Sequence, residues 1–99
     1  MSGNKQISII IPTTSDRELI FSRTLINAVE AVRHINAEIL VINDTQGYCP
    51  PIPETASVVS IFNNPGKGVA AARNYGASLA SADLLLFLDK FYIIINLNT

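Results

Sequence analysis

The chain has 99 residues, of which 48% are hydrophobic and 15% charged, with a formal net charge of −1. That length implies one domain around one modest core. The near-neutral charge, with no basic run, argues against nucleic-acid binding.

The polar start, MSGNKQ, does not read as a signal peptide. Residues 7–11, ISIII, are short, apolar and β-branched, and predict a buried strand that Pro12 stops. TTSDRE follows, and Ser15 with Glu18 three residues later is a capping-box signature. A helix is predicted over about 16–34, with Leu19, Ile20, Leu25, Ile26, Ala28, Val29 and Val32 near helical spacing. Arg33 and His34 suit the negative end of its dipole.

Residues 38–42, EILVI, predict a second buried strand. NDTQG and YCPPIPET follow, polar and then proline-rich, and read as a loop or short irregular crossover. A third strand is predicted over 58–62, a helix over 69–82 and a fourth strand over 84–88. Gly76 inside the second helix costs about 1 kcal/mol against alanine, which implies a close contact. No apolar run reaches the roughly 20 residues of a membrane-spanning helix.

Strands without alternation imply a sheet covered on both faces. Helical crossovers imply parallel pairing. The expectation is a single α/β domain, a three-layer sandwich around an open, mostly parallel sheet ordered 3-2-1-4. The tail, KFYIIINLNT, is apolar and β-prone, able to add a strand or to promote self-association.

Ligands of open parallel sheets bind beyond the carboxyl ends of the strands. Those ends supply Pro12, Thr13, Thr14, Ser15 and Asp16, then Asn43 and Asp44, then Asn63 and Asn64, then Asp89. Arg73 and Asn74 lie early in the second helix. The mixture suits sugar hydroxyls or a cation on the carboxylates, and a phosphate or base on the arginine. Taken singly, Asp44 reads equally as the start of a turn, Asp16 as a first-turn helix charge and Arg73 as a solvated face residue. Gly66 to Gly68, GKG, lacks the spacing of a phosphate-binding P-loop. Cys49 is the only cysteine, so an internal disulfide is excluded; it has no basic neighbour to activate it, and a reducing, cytoplasmic setting is expected.

Three ordered blocks carry a resemblance. ISIIIPTTSDR, EILVINDTQ and NNPGKGVAAARNYGASLASADLLLFLD resemble successive motifs of the family 2 glycosyltransferases, inverting enzymes with the A-type, Rossmann-like nucleotide-sugar fold. The resemblance covers residues 6–89 as the donor-binding half and leaves 90–99 as an atypical tail. It implies a nucleotide-diphosphate sugar as partner, Pro12 and Thr13 beside the base, and Asp44 accepting a hydrogen bond from it. It also implies Arg73 near the base and diphosphate, and Asp89 as the first aspartate of a DxD motif holding Mn2+ or Mg2+.

The departures set limits. Thr14 stands where the family usually has tyrosine, and Asn43 replaces the first aspartate of a pair. Phe91 occupies the second metal-ligand position, and Lys90 adds a positive charge there. No metal is therefore expected to bind this chain, and no catalytic base is identifiable. The expected lineage function is inverting transfer of a sugar to an acceptor hydroxyl. A chain truncated after the first aspartate of the motif is expected to be inactive alone. The alternatives are a non-catalytic nucleotide-binding or self-associating module, and a receiver-like regulator, whose acidic cluster Asp16 and Asp44 supply poorly.

Overall fold

A computed structural model of the chain describes residues 5–54 and 56–88, together with the backbone of 93–97. Strand β1 (Ile7–Thr13) leads through a 3-10 turn (Ser15–Arg17) into helix α1 (Glu18–Ala31). Then follow β2 (Ala37–Asn43), β3 (Val59–Asn63), α2 (Gly68–Leu79), β4 (Leu84–Leu88) and β5 (Ile93–Leu97). The sheet order is β3-β2-β1-β4-β5. The first four strands pair in parallel, and β5 adds to β4 antiparallel. The predicted 3-2-1-4 core is therefore present, and the tail does add a strand.

The two faces of the sheet carry separate cores. Ile9, Ile11, Ile39 and Val41 meet Phe21, Leu25, Ala28 and Val32 of the α1 segment on one face. Ile10, Leu40, Ile42, Leu85 and Phe87 meet Ala72 of α2 on the other. Alternate residues of one strand feed opposite cores, which explains why the inner strands are apolar throughout. Ile52, Val58 and Val59 join the α1 face, so the irregular crossover after β2 covers part of that layer.

Gly76 fits the expectation of a close contact. A Cβ there would lie 2.5 Å from Ile10 Cγ2 and 3.4 Å from Ile42 Cγ1. The missing side chain lets α2 lie directly on the two central strands.

Several boundaries differ from the sequence reading. Pro12 does not stop β1; it pairs in register with Ile42. Thr13 O accepts from Asp44 N–H on the β2 side, so the neighbouring Pro12 turns toward β4. The described β1–β4 ladder ends at Ile10 and Phe87, so none of its described donors is lost at the proline. The capping box does not form, because both partners are used elsewhere: Ser15 N–H donates to Thr45 Oγ1 at 2.9 Å, and Glu18 Oε1 accepts from the Tyr48 hydroxyl. Helix α1 also turns differently from the expected stripe. Leu19 is 81% exposed, and Ile20 and Ile26 also face outward, while Phe21 takes the inward place.

Helix α2 ends at Leu79, short of the expected Ala82, for a tertiary reason. Ser81 N–H and Ser81 Oγ both donate to Glu38 Oε2, at 2.7 and 2.9 Å, and Ser8 Oγ donates to the same oxygen at 2.6 Å. Ser8 Oγ in turn accepts from Ala82 N–H. Partial burial pushes the Glu38 carboxyl up, but these bonds and the Lys5 charge outweigh it and hold the group below its ordinary value.

Candidate functional site

The carboxyl ends of β1, β2 and β3 finish level. Thr13 pairs with Asn43, and Asn43 with Asn63, so one polar row crosses three strands. The ladder runs one residue further on each side, from Asp44 N–H to Thr13 O at 2.9 Å and from Asn64 N–H to Asn43 O at 2.8 Å. Asp44 and Asn64 therefore stand on the rim just beyond the sheet.

Asp44 is firmly placed. Its Oδ1 accepts from Asn64 Nδ2 at 2.9 Å, and its Oδ2 accepts from Gly68 N–H at 3.0 Å. Gly68 has φ +89°, which favours glycine and turns the first amide of α2 toward the carboxylate. Lys67, next to the helix start, contributes no side-chain cap. Asp44 thus caps α2 from across the sheet, with its negative charge at the positive end of the helix dipole. Each oxygen of an ionised carboxylate accepts about two hydrogen bonds, so both retain capacity for a ligand.

Asn43 explains why an amide can replace the family's aspartate. It is 3% exposed, and its Nδ2 faces Thr45 O, Tyr48 O and Asn63 Oδ1 at 3.0, 2.7 and 3.1 Å. Its Oδ1 accepts from Thr45 N–H at 3.2 Å. A carboxylate has no hydrogen to give to those three oxygens. Asn43 folds residues 44–48 back onto the sheet rather than meeting a ligand.

A cleft of about 90 Å³ opens beside Asp44, with Pro12, Thr13, Thr14 and Arg17 on one wall and Val69 and Ala72 of α2 opposite. Pro12, Thr13 and Asp44, assigned together from the sequence, meet there. Arg73 is half-buried on α2, next to Ala72 and one turn beyond Val69. Asp89 and Phe91 lie outside the described residues. Among the described residues that line the cleft none is aromatic, and Thr14 stands at the position where the family usually has tyrosine. Arg17 was not singled out from the sequence, and it brings a cation into the cleft. Thr45 was missed as well, and Asn64 was read only as a strand-end residue, since nothing local marks either as the support of a neighbour.

The fit of a divalent cation depends on the donor set. Among the described residues no three His, Cys, Asp or Glu side chains come together. Both oxygens of Asp44 already receive N–H donors, which is an amide cradle rather than a cation shell. The described residues do not compose a metal site.

The comparisons with known proteins agree with this fold. Crystal structures of S. aureus TarS share the fold. For the form spanning its residues 1–349 the TM-score is 0.57 at 19% identity, covering 86% of this chain and 27% of that one. A second TarS structure gives 0.56 at 18% identity, covering 86% of this chain and 16% of that one. The chain thus spans about a quarter or less of the proteins it resembles in structure. No curated protein matches it. The description Glycosyl transferase family 2 matches residues 8–90, which takes in all four parallel strands, both helices and the polar rim between them. With its order of elements, its level strand ends and Asp44 at the rim, the chain belongs to glycosyl transferase family 2.

Proposed function

We propose that the cleft beside Asp44 is the nucleotide end of a donor site for a nucleotide-diphosphate sugar. The chain is then the donor-binding half of an inverting glycosyltransferase. The observation that carries this reading is the convergence of Pro12, Thr13, Arg17 and Asp44 on one cleft at the carboxyl edge of a parallel sheet. Asp44 accepts an N–H of the base, using lone pairs that Asn64 and Gly68 leave open. Arg17 and Arg73 supply positive charge for the diphosphate. The sugar passes to an acceptor hydroxyl whose proton a carboxylate must take. None of the described residues is assigned that base, and no step is routed through a metal. The chain by itself binds a donor weakly and does not turn over.

Calorimetric titration with uridine and guanosine diphosphate sugars, with and without manganese, tests this. Weak saturable binding that does not require manganese, and that Asp44→Asn weakens, supports the proposal. Absence of saturable binding for either nucleotide removes it, and measurable sugar transfer refutes the claim of inactivity. A second reading, a self-associating module, draws on the open edge strand β3, where Ile61 is exposed, and on exposed Leu19 and Ile26. A clean dimer that binds no nucleotide would favour it.

A further inference from the structure

The loop after β1 forms one wall of the cleft, the loop after β2 brings Asp44 to it, and side chains tie the two loops to each other. The loop after β1 carries Thr14, Ser15 and Arg17 into the start of α1. The loop after β2 carries Asp44 through Tyr48. Thr45 Oγ1 accepts from Ser15 N–H at 2.9 Å, and the Tyr48 hydroxyl donates to Glu18 Oε1. The second loop is braced from behind, because Asn43 Nδ2 holds both Thr45 O and Tyr48 O, and Tyr48 N–H donates to Thr45 O at 3.2 Å. So Thr45 and Tyr48 reach forward from a fixed base, and what they hold is the turn behind the wall that carries Thr14 and Arg17.

We propose that Thr45 and Tyr48 are positioning residues, a two-point latch that holds the Ser15–Glu18 turn at a set distance from Asp44 and so fixes the width of the nucleotide cleft. The proposal rests on the donor-site reading above. Neither residue lines the cleft, so their effect on a nucleotide passes through Thr14 and Arg17. The latch also accounts for the unformed capping box: Ser15 and Glu18 give up local partners for partners thirty residues away. A wall held in place before binding does not have to be ordered by the ligand, and that is where affinity is gained.

The test uses the full chain and two readouts. The first is amide hydrogen exchange, which needs no ligand. Tyr48→Phe and Thr45→Val should each speed exchange at Ser15 N–H by about three- to ten-fold, the range expected for one net hydrogen bond. The second is binding of uridine diphosphate. Tyr48→Phe and Glu18→Ala should each weaken it about three- to ten-fold, and the double variant no further. Glu18→Gln should retain most of the affinity, because its amide oxygen still accepts the phenol. Both latch bonds are exposed and their partners exposed or half-buried, so the unfolding midpoint should move little while affinity falls. Unchanged exchange at Ser15 overturns the latch whether or not any nucleotide binds. Faster exchange with unchanged affinity overturns its positioning role and keeps the donor site. Faster exchange in a wild-type chain that binds no uridine or guanosine diphosphate overturns the donor-site reading and, with it, the role assigned to the latch.

Discussion

Replacing Gly76 with alanine sets two effects of similar size against each other. Alanine is favoured over glycine inside a helix by about 1 kcal/mol. The added Cβ, however, would lie 2.5 Å from Ile10 Cγ2, where ordinary contact begins at 3.4 Å. Ile10 cannot easily yield. It is fully buried, branched at Cβ, and its backbone is held by Leu40 on one side and Phe87 on the other. Relief therefore requires α2 to lift from the sheet, and overpacking of this kind costs about 1–3 kcal/mol. A contact that short, against a side chain that cannot easily yield, belongs in the upper part of that range, so the expected balance is a net loss of about 1–2 kcal/mol, or a fall in Tm of about 4–8 °C per kcal/mol for a domain of this size. Urea and thermal unfolding followed by far-ultraviolet circular dichroism measure it. Ile10→Leu moves the branch away from Cβ and removes the clashing methyl, so in that background Gly76→Ala should lose most of its penalty. A variant Gly76→Ala as stable as the wild type, or more so, would refute the close-packing argument, as would an undiminished penalty beside Leu at position 10.

Glu38→Gln should destabilise the chain by about 1–2 kcal/mol near neutral pH, a value discounted for partial exposure. The folded pKa of Glu38 lies below its unfolded value, so its contribution is complete above the unfolded carboxylate range and is lost as pH falls through the depressed folded value. Parallel stability–pH curves for the two proteins below about pH 5 would contradict that. The Tyr48 phenol is pushed up to about 12, first by the bond it donates to Glu18 and then by desolvation and the charges of Glu18 and Cys49. Its contribution is present below the ordinary tyrosine range and disappears as pH rises through about 12; ultraviolet titration should show a late component for Tyr48, absent in Tyr48→Phe and shifted down in Glu18→Ala. Asn43→Asp should cost about 2–4 kcal/mol, since a buried carboxylate would face three oxygens, and a loss below about 0.5 kcal/mol would show that the loop is held in another way. Asp44→Ala should lower stability by about 1–2 kcal/mol through the lost cap of α2, read from the same unfolding curves; an unchanged midpoint would mean that the cap is not needed.

Sequence alone was sufficient for the periodic parts of the molecule. ISIII, EILVI and LLLFL are apolar at every or nearly every position, and only a strand buried on both faces needs that. Gly76 in an alanine-rich helix already signalled contact with the sheet, and the residues at the ends of the first three strands already marked the rim, with Pro12, Thr13 and Asp44 among them. These features depend on chain direction and repeat period, which neighbours in sequence express directly. Tertiary structure decided the rest, because the deciding partners are distant along the chain. Thr45 and Tyr48 took Ser15 and Glu18 away from a capping box, Glu38 stopped α2 by capturing Ser81, and Asp44 capped a helix that begins 24 residues later. A hydrogen-bonding group goes to whichever partner the fold brings within about 3 Å, and that choice exists only once the sheet has assembled.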